Sequence, residues 1–381
     1  DWYIDQMKRA SYDAAPIPSS LEHDDYRTGT RDYLAYQKRY KNEVVGLKSV
    51  IDYIRTHEKE TVRTQNGAMQ VHIFPAKKIR LAVNKEIART FVPEEHHNKI
   101  VDEIQFKVKG NNVMKNKLMV FDILANFNWE RPIYFATTVG RDNFMGLEKY
   151  FQLEGLAYRL VPYVTPISRH WLLGPQTGAV NTDKMYDLLV SQFEWGGLNN
   201  PDLYFDETNT RMVMGFRSFY GRLAESLAQK GDTTKAIKTL DKCIAEFSRD
   251  VVNLSYYSVS IIELYYAVGE IEKGNKLLAT MMDDYLTEVN YLKEFDVENK
   301  LRQKIKATKQ LLSALTQILQ MHKLEDSNYS YSTKDDRYYK HLLEYSKPVT
   351  VADTEVVNDI EVDYATYRIN TFMDDFIKAM K

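Results

Sequence analysis

The chain has little of what several protein classes need. A single cysteine, Cys243, occurs in 381 residues, so an intramolecular disulfide framework and a cysteine-built zinc site are both excluded. Eight scattered histidines leave little for a metal cluster, and metal ligands and cofactors are therefore not expected. The 51 basic side chains nearly balance the 53 acidic ones, for a formal net charge of −2, which argues against a nucleic-acid partner held by phosphate neutralisation. No apolar run reaches the roughly 18 residues that a spanning helix needs; Asp122 interrupts Leu118 to Leu124 and Glu263 interrupts Ser260 to Val268. Glycine and proline are scarce, 16 and 10, whereas 27 tyrosines, 16 phenylalanines and 4 tryptophans are present. This composition argues against disorder over most of the length. A length of 381 residues predicts two or three compact units. The start at Asp1, with no methionine and no basic-then-apolar leader, leads us to expect a piece of a longer protein.

Hydrophobic periodicity divides the chain. Residues 1–60 read as a helical lead-in with a polar linker: Trp2 to Arg9 suit one short helix, Pro16, Pro18 and Gly29 break the middle, and Val45, Leu47, Val50, Ile51 and Ile54 return to helical spacing. Over 61–170 an α/β domain is predicted. Met69, Val71 and Ile73 alternate, Pro75 to Lys78 connect, and Ile79, Leu81 and Val83 alternate again, which reads as a strand pair. Ile104 to Val108 then alternate, Met114 to Phe127 are apolar nearly all round, and Ile133 to Ala136 follow Pro132. That order predicts strand, helix, strand, with the two strands parallel in one small mixed sheet and the helix covered as a right-handed crossover, a βαβ unit. Gly155 to Tyr163 offer a further strand. Residues 171–210 form a turn-rich bridge with one helix near Lys184 to Phe193.

Residues 211–381 read as all-α. Phe216, Phe219, Tyr220, Leu223, Ala224 and Leu227 share one helix face, Gly231-Asp232 break the chain, and Ala236, Ile237, Leu240, Cys243, Ile244 and Phe247 resume the spacing. This hairpin fits a tetratricopeptide-like pattern with Gly231 as its turn. A second copy follows 38 residues later, through Ile261, Ile262, Tyr265, Gly269, Leu277 and Met281, with Gly274 in the place of a small alanine. Val297 to Leu324 and Tyr364 to Met380 predict two more amphipathic helices. The fold class is thus mixed α+β, followed by a tetratricopeptide-like helical region.

Candidate chemistry is sparse. Glu94-Glu95-His96-His97 is the densest acid and histidine cluster, but adjacent histidines on a helix point about 100° apart and suit a solvated loop better than zinc. The phosphate-loop, dinucleotide-binding and serine-elbow glycine motifs are missing, and Cys243 reads as a buried structural thiol. Asn128, Trp129 and Arg131 fall at the expected helix-to-strand connection. They read either as a structural turn or as the edge of a polar and aromatic pocket that stacks a sugar ring, joined by Glu154 and Arg159 if the strands are neighbours. A salt bridge between Glu154 and Arg159 is an equal reading. Tyrosine-rich runs mark Tyr33 to Tyr40, Tyr256-Tyr257, Tyr265-Tyr266 and Tyr329 to Tyr345. Most suit packing; Tyr220, Tyr257 and Tyr265 are the candidates for a protein-binding surface.

Three strings carry a resemblance: Asp1-Trp2-Tyr3-Ile4-Asp5-Gln6-Met7-Lys8, Asn128-Trp129-Glu130-Arg131-Pro132-Ile133-Tyr134-Phe135-Ala136, and Leu153-Glu154-Gly155-Leu156-Ala157-Tyr158-Arg159-Leu160-Val161-Pro162. Together they resemble the C-terminal soluble region of a bacterial family of multi-spanning membrane proteins, domain-of-unknown-function 2723. That family is grouped with glycosyltransferase family 117 and is similar to protein O-mannosyltransferases. The resemblance implies a parent that transfers a sugar from a lipid-linked donor, with its catalytic part in the membrane. It also implies that this chain is a non-catalytic tail on the periplasmic side of the inner membrane, touching the membrane only through the missing N-terminal part. The expected partners are an acceptor protein, a glycan or a partner protein, with no catalytic residue here. The alternative is a freestanding helical-repeat adaptor.

Overall fold

The computed structural model describes residues 2–9, 15–41, 43–64, 67, 69–170 and 174–292. The helices expected at Val297 to Leu324 and Tyr364 to Met380, and the tyrosines of Tyr329 to Tyr345, lie outside the described residues. Two compact units emerge, one of Asp1–His170 with Gly174–Asn181, the other of Trp171–Leu173 with Thr182–Lys381.

In the first unit the elements run α1 (Trp2–Met7), α2 (His23–Tyr26), β1 (Tyr33–Tyr36), β2 (Val44–Gly46), α3 (Leu47–Thr56), β3 (Thr61–Arg63), β4 (Gln70–Phe74), β5 (Lys78–Ala82) and α4 (Lys85–Phe91). They continue through β6 (Glu103–Lys107), β7 (Asn112–Met114), α5 (Lys115–Asn126), β8 (Tyr134–Ala136), β9 (Phe151–Glu154), β10 (Ala157–Leu160), β11 (Ser168–His170), β12 (Gly174–Gln176) and β13 (Ala179–Val180). The strands make four small sheets, ordered β3-β4-β1-β7, β2-β5-β6, β13-β9-β10-β8 and β11-β12. The mixed α+β class holds, but the single mixed sheet expected from the sequence is divided.

Parallel pairing occurs through a different helix from the one expected. β1 lies parallel to β4, and β2 parallel to β5. Parallel neighbours need a crossover, and α3 supplies it, packed against β2, β4 and β5. The two strands expected to pair across α5 do not share a sheet: β6 pairs with β5, and β8 with β10, while β7, which runs directly into α5, pairs with β1. The chain turns away between α5 and β8 because Asn128 and Trp129 both take left-handed backbone angles, φ 47° and 65°. Nor do β4 and β5 pair with each other. The Pro75-Ala76-Lys77 link lacks the Asn-Gly chemistry of a tight hairpin, and it carries the chain from one sheet to the next.

The prediction that α5 is covered on most faces holds. Leu118, Phe121 and Leu124 are buried, and α3 packs along the helix. The Phe121 ring sits 5.7 Å from Phe74 on β4 and 6.0 Å from Phe106 on β6, joining two sheets in one core. A second core lies under β8, β9 and β10, where Phe135, Phe144, Phe151 and Tyr158 pack with centroids 4.9 to 6.2 Å apart.

Within α5, Asp122 is fully buried. Its carboxylate accepts from Ser19 Oγ at 2.5 Å, the Ser20 amide at 3.0 Å, the Leu21 amide at 3.2 Å and Asn126 Nδ2 at 2.9 Å. The charge that breaks the apolar run thus anchors the segment 19–21 against the helix.

The second unit opens with α6 (Thr182–Tyr186), whose last turn continues as a π-helical stretch, Asp187–Gln192. Four helices follow: α7 (Glu207–Gln229), α8 (Thr233–Glu246), α9 (Tyr256–Ala267) and α10 (Ile271–Leu292). They form two hairpins, and α7 packs on α9. Both turns close alike. Gly231 and Gly269 adopt φ 83° and 86°, and the following amides, Asp232 and Glu270, return to the carbonyls of Leu227 and Tyr265 at 3.0 and 2.8 Å. Glycine is needed there because a side chain disfavours this left-handed cap. Gly274 has a different reason: a Cβ on it would meet the Tyr266 ring at 2.6 Å. Arg217 on α7 is fully buried and donates to the carbonyls of Phe247, Val252 and Asn253, tying down the end of α8 and the loop after it.

Candidate functional site

A cleft of about 480 Å³ opens at the carboxyl ends of the parallel strands β2 and β5. In open α/β sheets that end is where ligands are commonly held, because the chain leaves the strands in loops and helix termini that can be reshaped without disturbing the sheet. Here β2 runs directly into α3, so Gly46, Leu47 and Lys48 form one wall. Gly46 gives α3 no side-chain cap, and the first amides of the helix are left for a ligand or water. The floor is the end of β5, Arg80 to Ala82, beside Asp102 and Glu103 at the start of β6. The far wall is the end of α5 with Phe127, Asn128 and Trp129.

Trp129 builds that wall. Its ring is 3% exposed, packs 4.9 Å from Phe127, and donates from Nε1 to the Ala82 carbonyl at 2.9 Å. The indole therefore clamps the end of α5 to the end of β5, and does not present an open face for stacking a sugar. Asn128 is exposed; its amide donates to Glu130 at 2.9 Å and accepts from Asn84 at 3.3 Å. Two successive non-glycine residues at positive φ cost conformational energy, and such strain is found where the surrounding structure imposes a special shape. The cleft charges are mostly matched, Arg80 with Glu103 at 3.4 Å and Lys85 with Asp102 at 2.5 Å.

The other predicted residues lie apart from this wall. Arg131 spends its guanidinium on the carbonyls of Ala15 and Pro16, at 3.0 and 3.4 Å. Glu154 and Arg159 do meet, at 3.7 Å, so the salt-bridge reading is the one the structure realises. Glu154 also accepts from the Tyr134 hydroxyl at 2.8 Å and Asn181 Nδ2 at 3.1 Å. Burial, with Glu154 adding to it, pushes the Tyr134 phenol above its ordinary value. Arg159 lies over the Phe91 ring at 4.8 Å. These groups have partners of their own, and the single pocket joining Trp129, Arg131, Glu154 and Arg159 does not form.

Among the three tyrosines proposed for a protein surface, two point inward. Tyr220 is fully buried, donating to the Leu189 carbonyl at 2.7 Å and accepting from Trp195 Nε1 at 3.0 Å. Tyr265 is 3% exposed and donates to Asp241 at 3.0 Å. Both sit at helix-packing positions, where spacing alone cannot separate an inner face from a groove. Tyr257 is 40% exposed, beside the Tyr256 ring. A groove of about 390 Å³ runs between α8 and α10 over Tyr265 and Leu277.

Glu94 to Lys99 form a 3₁₀ turn, where His97 Nε2 lies 2.9 Å from the Val92 carbonyl and the His96 ring packs near Tyr163. Among the described residues, no group of three or more histidine, cysteine, aspartate or glutamate side chains is placed to hold a metal. Among them too, no helix is long and apolar enough to cross a membrane. Cys243 is wholly buried, and burial pushes its thiol up to about 12.

Residues 1–184 match the family TMEM260-associated domain 2. The matched stretch ends beside the boundary of the first structural unit, at Asn181, so the family likeness and the α/β unit cover nearly the same residues. No curated protein and no solved structure matches the chain.

Sequence reasoning missed Asp122, Tyr134 and Asn181 as members of polar clusters. A lone acid inside the apolar run of α5 was the one local signal; the others depend on strand register.

Proposed function

We propose that the chain is a recognition region of an O-mannosyltransferase-like membrane protein, with the first unit binding the acceptor protein or its glycan in the cleft at the ends of β2 and β5. The cleft carries the proposal. It combines an uncapped helix start, exposed Lys48 and Arg80, and the exposed Asn128 amide on a wall held in strained backbone geometry. Such groups suit hydrogen-bond recognition of hydroxyls and peptide groups. The match to TMEM260-associated domain 2 supports a link to a membrane protein, and the three resembling strings support domain-of-unknown-function 2723 and glycosyltransferase family 117 in particular. On this reading the site faces the periplasm, the chemistry belongs to the membrane part, and the two hairpins are tetratricopeptide-like repeats. The groove over Tyr265 and Leu277 favours a second role for them, holding a peptide of a partner protein.

The test is a binding screen of the 381-residue chain on a glycan array and a tiled peptide array. Lys48→Ala with Arg80→Ala should weaken the hits at least about fivefold, roughly the loss of one net hydrogen bond, with the melting temperature unchanged. Hits indifferent to the double variant, or no hits on either array, would remove the cleft from the proposal.

A further inference from the structure

The groove of about 390 Å³ between α8 and α10 is apolar at its base and charged at its rim. Phe247, Leu254, Tyr265 and Leu277 form the base, while Ile244 is half-buried and Ala245 exposed on the α8 side. Most of the rim is matched. Lys273 meets Asp241 at 2.9 Å and Glu270 at 3.4 Å, and Arg249 meets Asp284 at 2.6 Å. Lys276, three residues beyond Lys273 on α10, is exposed, and among the described residues no acid pairs with it. A fitting occupant therefore brings an apolar stripe for the base and a carboxylate for Lys276. An amphipathic helix laid in a groove has that form, its anchors recurring at steps of three and four.

The chain itself carries such a stretch. In segment 364–380, Ile369, Phe372, Met373, Phe376, Ile377 and Met380 fall on one side of a helix at about 100° per residue. Asp374 and Asp375 sit at the middle of that stripe, one off each edge, while Arg368 and Lys378 lie a turn or more away. The other expected helix, 297–324, fits less well. Its first half carries Lys300, Arg302, Lys304, Lys306 and Lys309, which would set like charges against Lys273 and Lys276.

Reach favours the same chain over a second copy. Leu277 lies fifteen residues before Leu292, the end of α10, a distance of about 22 Å along the helix. Residues 293–363 connect α10 to the segment, and even wound wholly as helix they would span roughly 100 Å. Tethering at such a range gives an effective concentration on the order of 1 mM.

We propose that segment 364–380 lies as a helix in the groove between α8 and α10 of its own chain, with Phe372 and Phe376 over the base and Asp374 or Asp375 paired with Lys276. The proposal goes beyond the partner-peptide role of this groove: a partner's peptide enters by displacing the segment, which makes the contact autoinhibitory. It does not depend on the cleft at β2 and β5.

Carbodiimide cross-linking of the whole chain, read by mass spectrometry, tests the contact, because the reagent joins a lysine only to a carboxylate it touches. A cross-link from Lys276 to Asp374 or Asp375 is expected, and in a mixture of isotopically light and heavy chains it should join residues of the same isotope. Ala245→Arg, at an exposed position, fills the groove and should cut the yield at least about tenfold with the helical circular dichroism unchanged. Phe372→Ser with Phe376→Ser should do the same. That double variant should also bind a synthetic 364–381 peptide at least about tenfold more tightly than the unaltered chain, whose own segment competes at millimolar effective concentration. Cross-links from Lys276 to other carboxylates alone, cross-links only between light and heavy chains, or equal peptide binding by the two chains would each overturn the proposal. Binding of a foreign peptide in a groove that gives no such cross-link would overturn it too, and would leave the partner-peptide role standing.

Discussion

Replacing Asp122 by alanine tests how the first unit is held together. Four donors reach this buried carboxylate, but two have somewhere else to go. Ser19 Oγ already contacts the Leu21 carbonyl at 3.1 Å, and Asn126 Nδ2 the Asp122 carbonyl at 2.8 Å. Among the described residues the amides of Ser20 and Leu21 have no second acceptor, so the substitution strands one buried and one half-buried donor. At about 1 to 3 kcal/mol for the buried amide and about 1 for the half-buried one, the expected loss is about 3 kcal/mol. For a unit of this size that corresponds to a fall in melting temperature of about 10 °C. Asp122→Asn retains one acceptor oxygen and should lose about half as much. Near-ultraviolet circular dichroism follows the melt, and hydrogen exchange reads the Ser20 and Leu21 amides directly. A loss under about 1 kcal/mol, with those amides still protected, would refute the reasoning, because it would mean that the carboxylate does not satisfy them.

Two further outcomes are expected. With its thiol raised to about 12 by burial, Cys243 is ionised to about one part in ten thousand at pH 8, so a thiol reagent should label it only after denaturation; rapid labelling of the native chain would contradict the packing of α8. The Tyr26 hydroxyl, and then His23, hold the Asp5 carboxyl below its ordinary 3.8. The unfolded chain therefore binds this proton more readily, and the contribution is present above about pH 4 and lost as pH falls through the lower folded value. Asp5→Asn should remove that acid-side loss of α1 docking, followed by the His23 and Tyr26 ring resonances, and leave neutral pH behaviour unchanged in slope.

The sequence showed much of the local structure. Helical spacing located α3, α5 and the four long helices, and Gly231 and Gly269 marked both hairpin turns, because a left-handed cap needs glycine whatever packs around it. Alternation located β4, β5 and β6 for a like reason: period two follows from the pleat. Partner choice was not legible. β4 and β5 are neighbours in sequence and belong to different sheets, since alternation says which side chains face inward but not which strand lies alongside.

The candidate site divides along the same line. Trp129 and Asn128 were picked out for being polar and aromatic at a connection, and they do wall the cleft. Their left-handed backbone had no signature, as neither residue is glycine, and it redirects the chain away from the expected βαβ unit. Tyr220 and Tyr265 show the reverse failure, aromatic residues with polar tips that satisfy those tips inside the helical unit.

From composition and periodicity alone, this chain was bound to be a mixed α+β unit followed by helical hairpins, poor in metal ligands and rich in aromatic packing; these depend on side-chain chemistry and local geometry. The tertiary structure decided which helix makes the parallel crossover, that Asp122 anchors the segment at Ser19 to Leu21, and that Trp129 is a clamp. Each of those depends on contacts between residues tens of positions apart, where burial and strand register, not local preference, determine which groups meet.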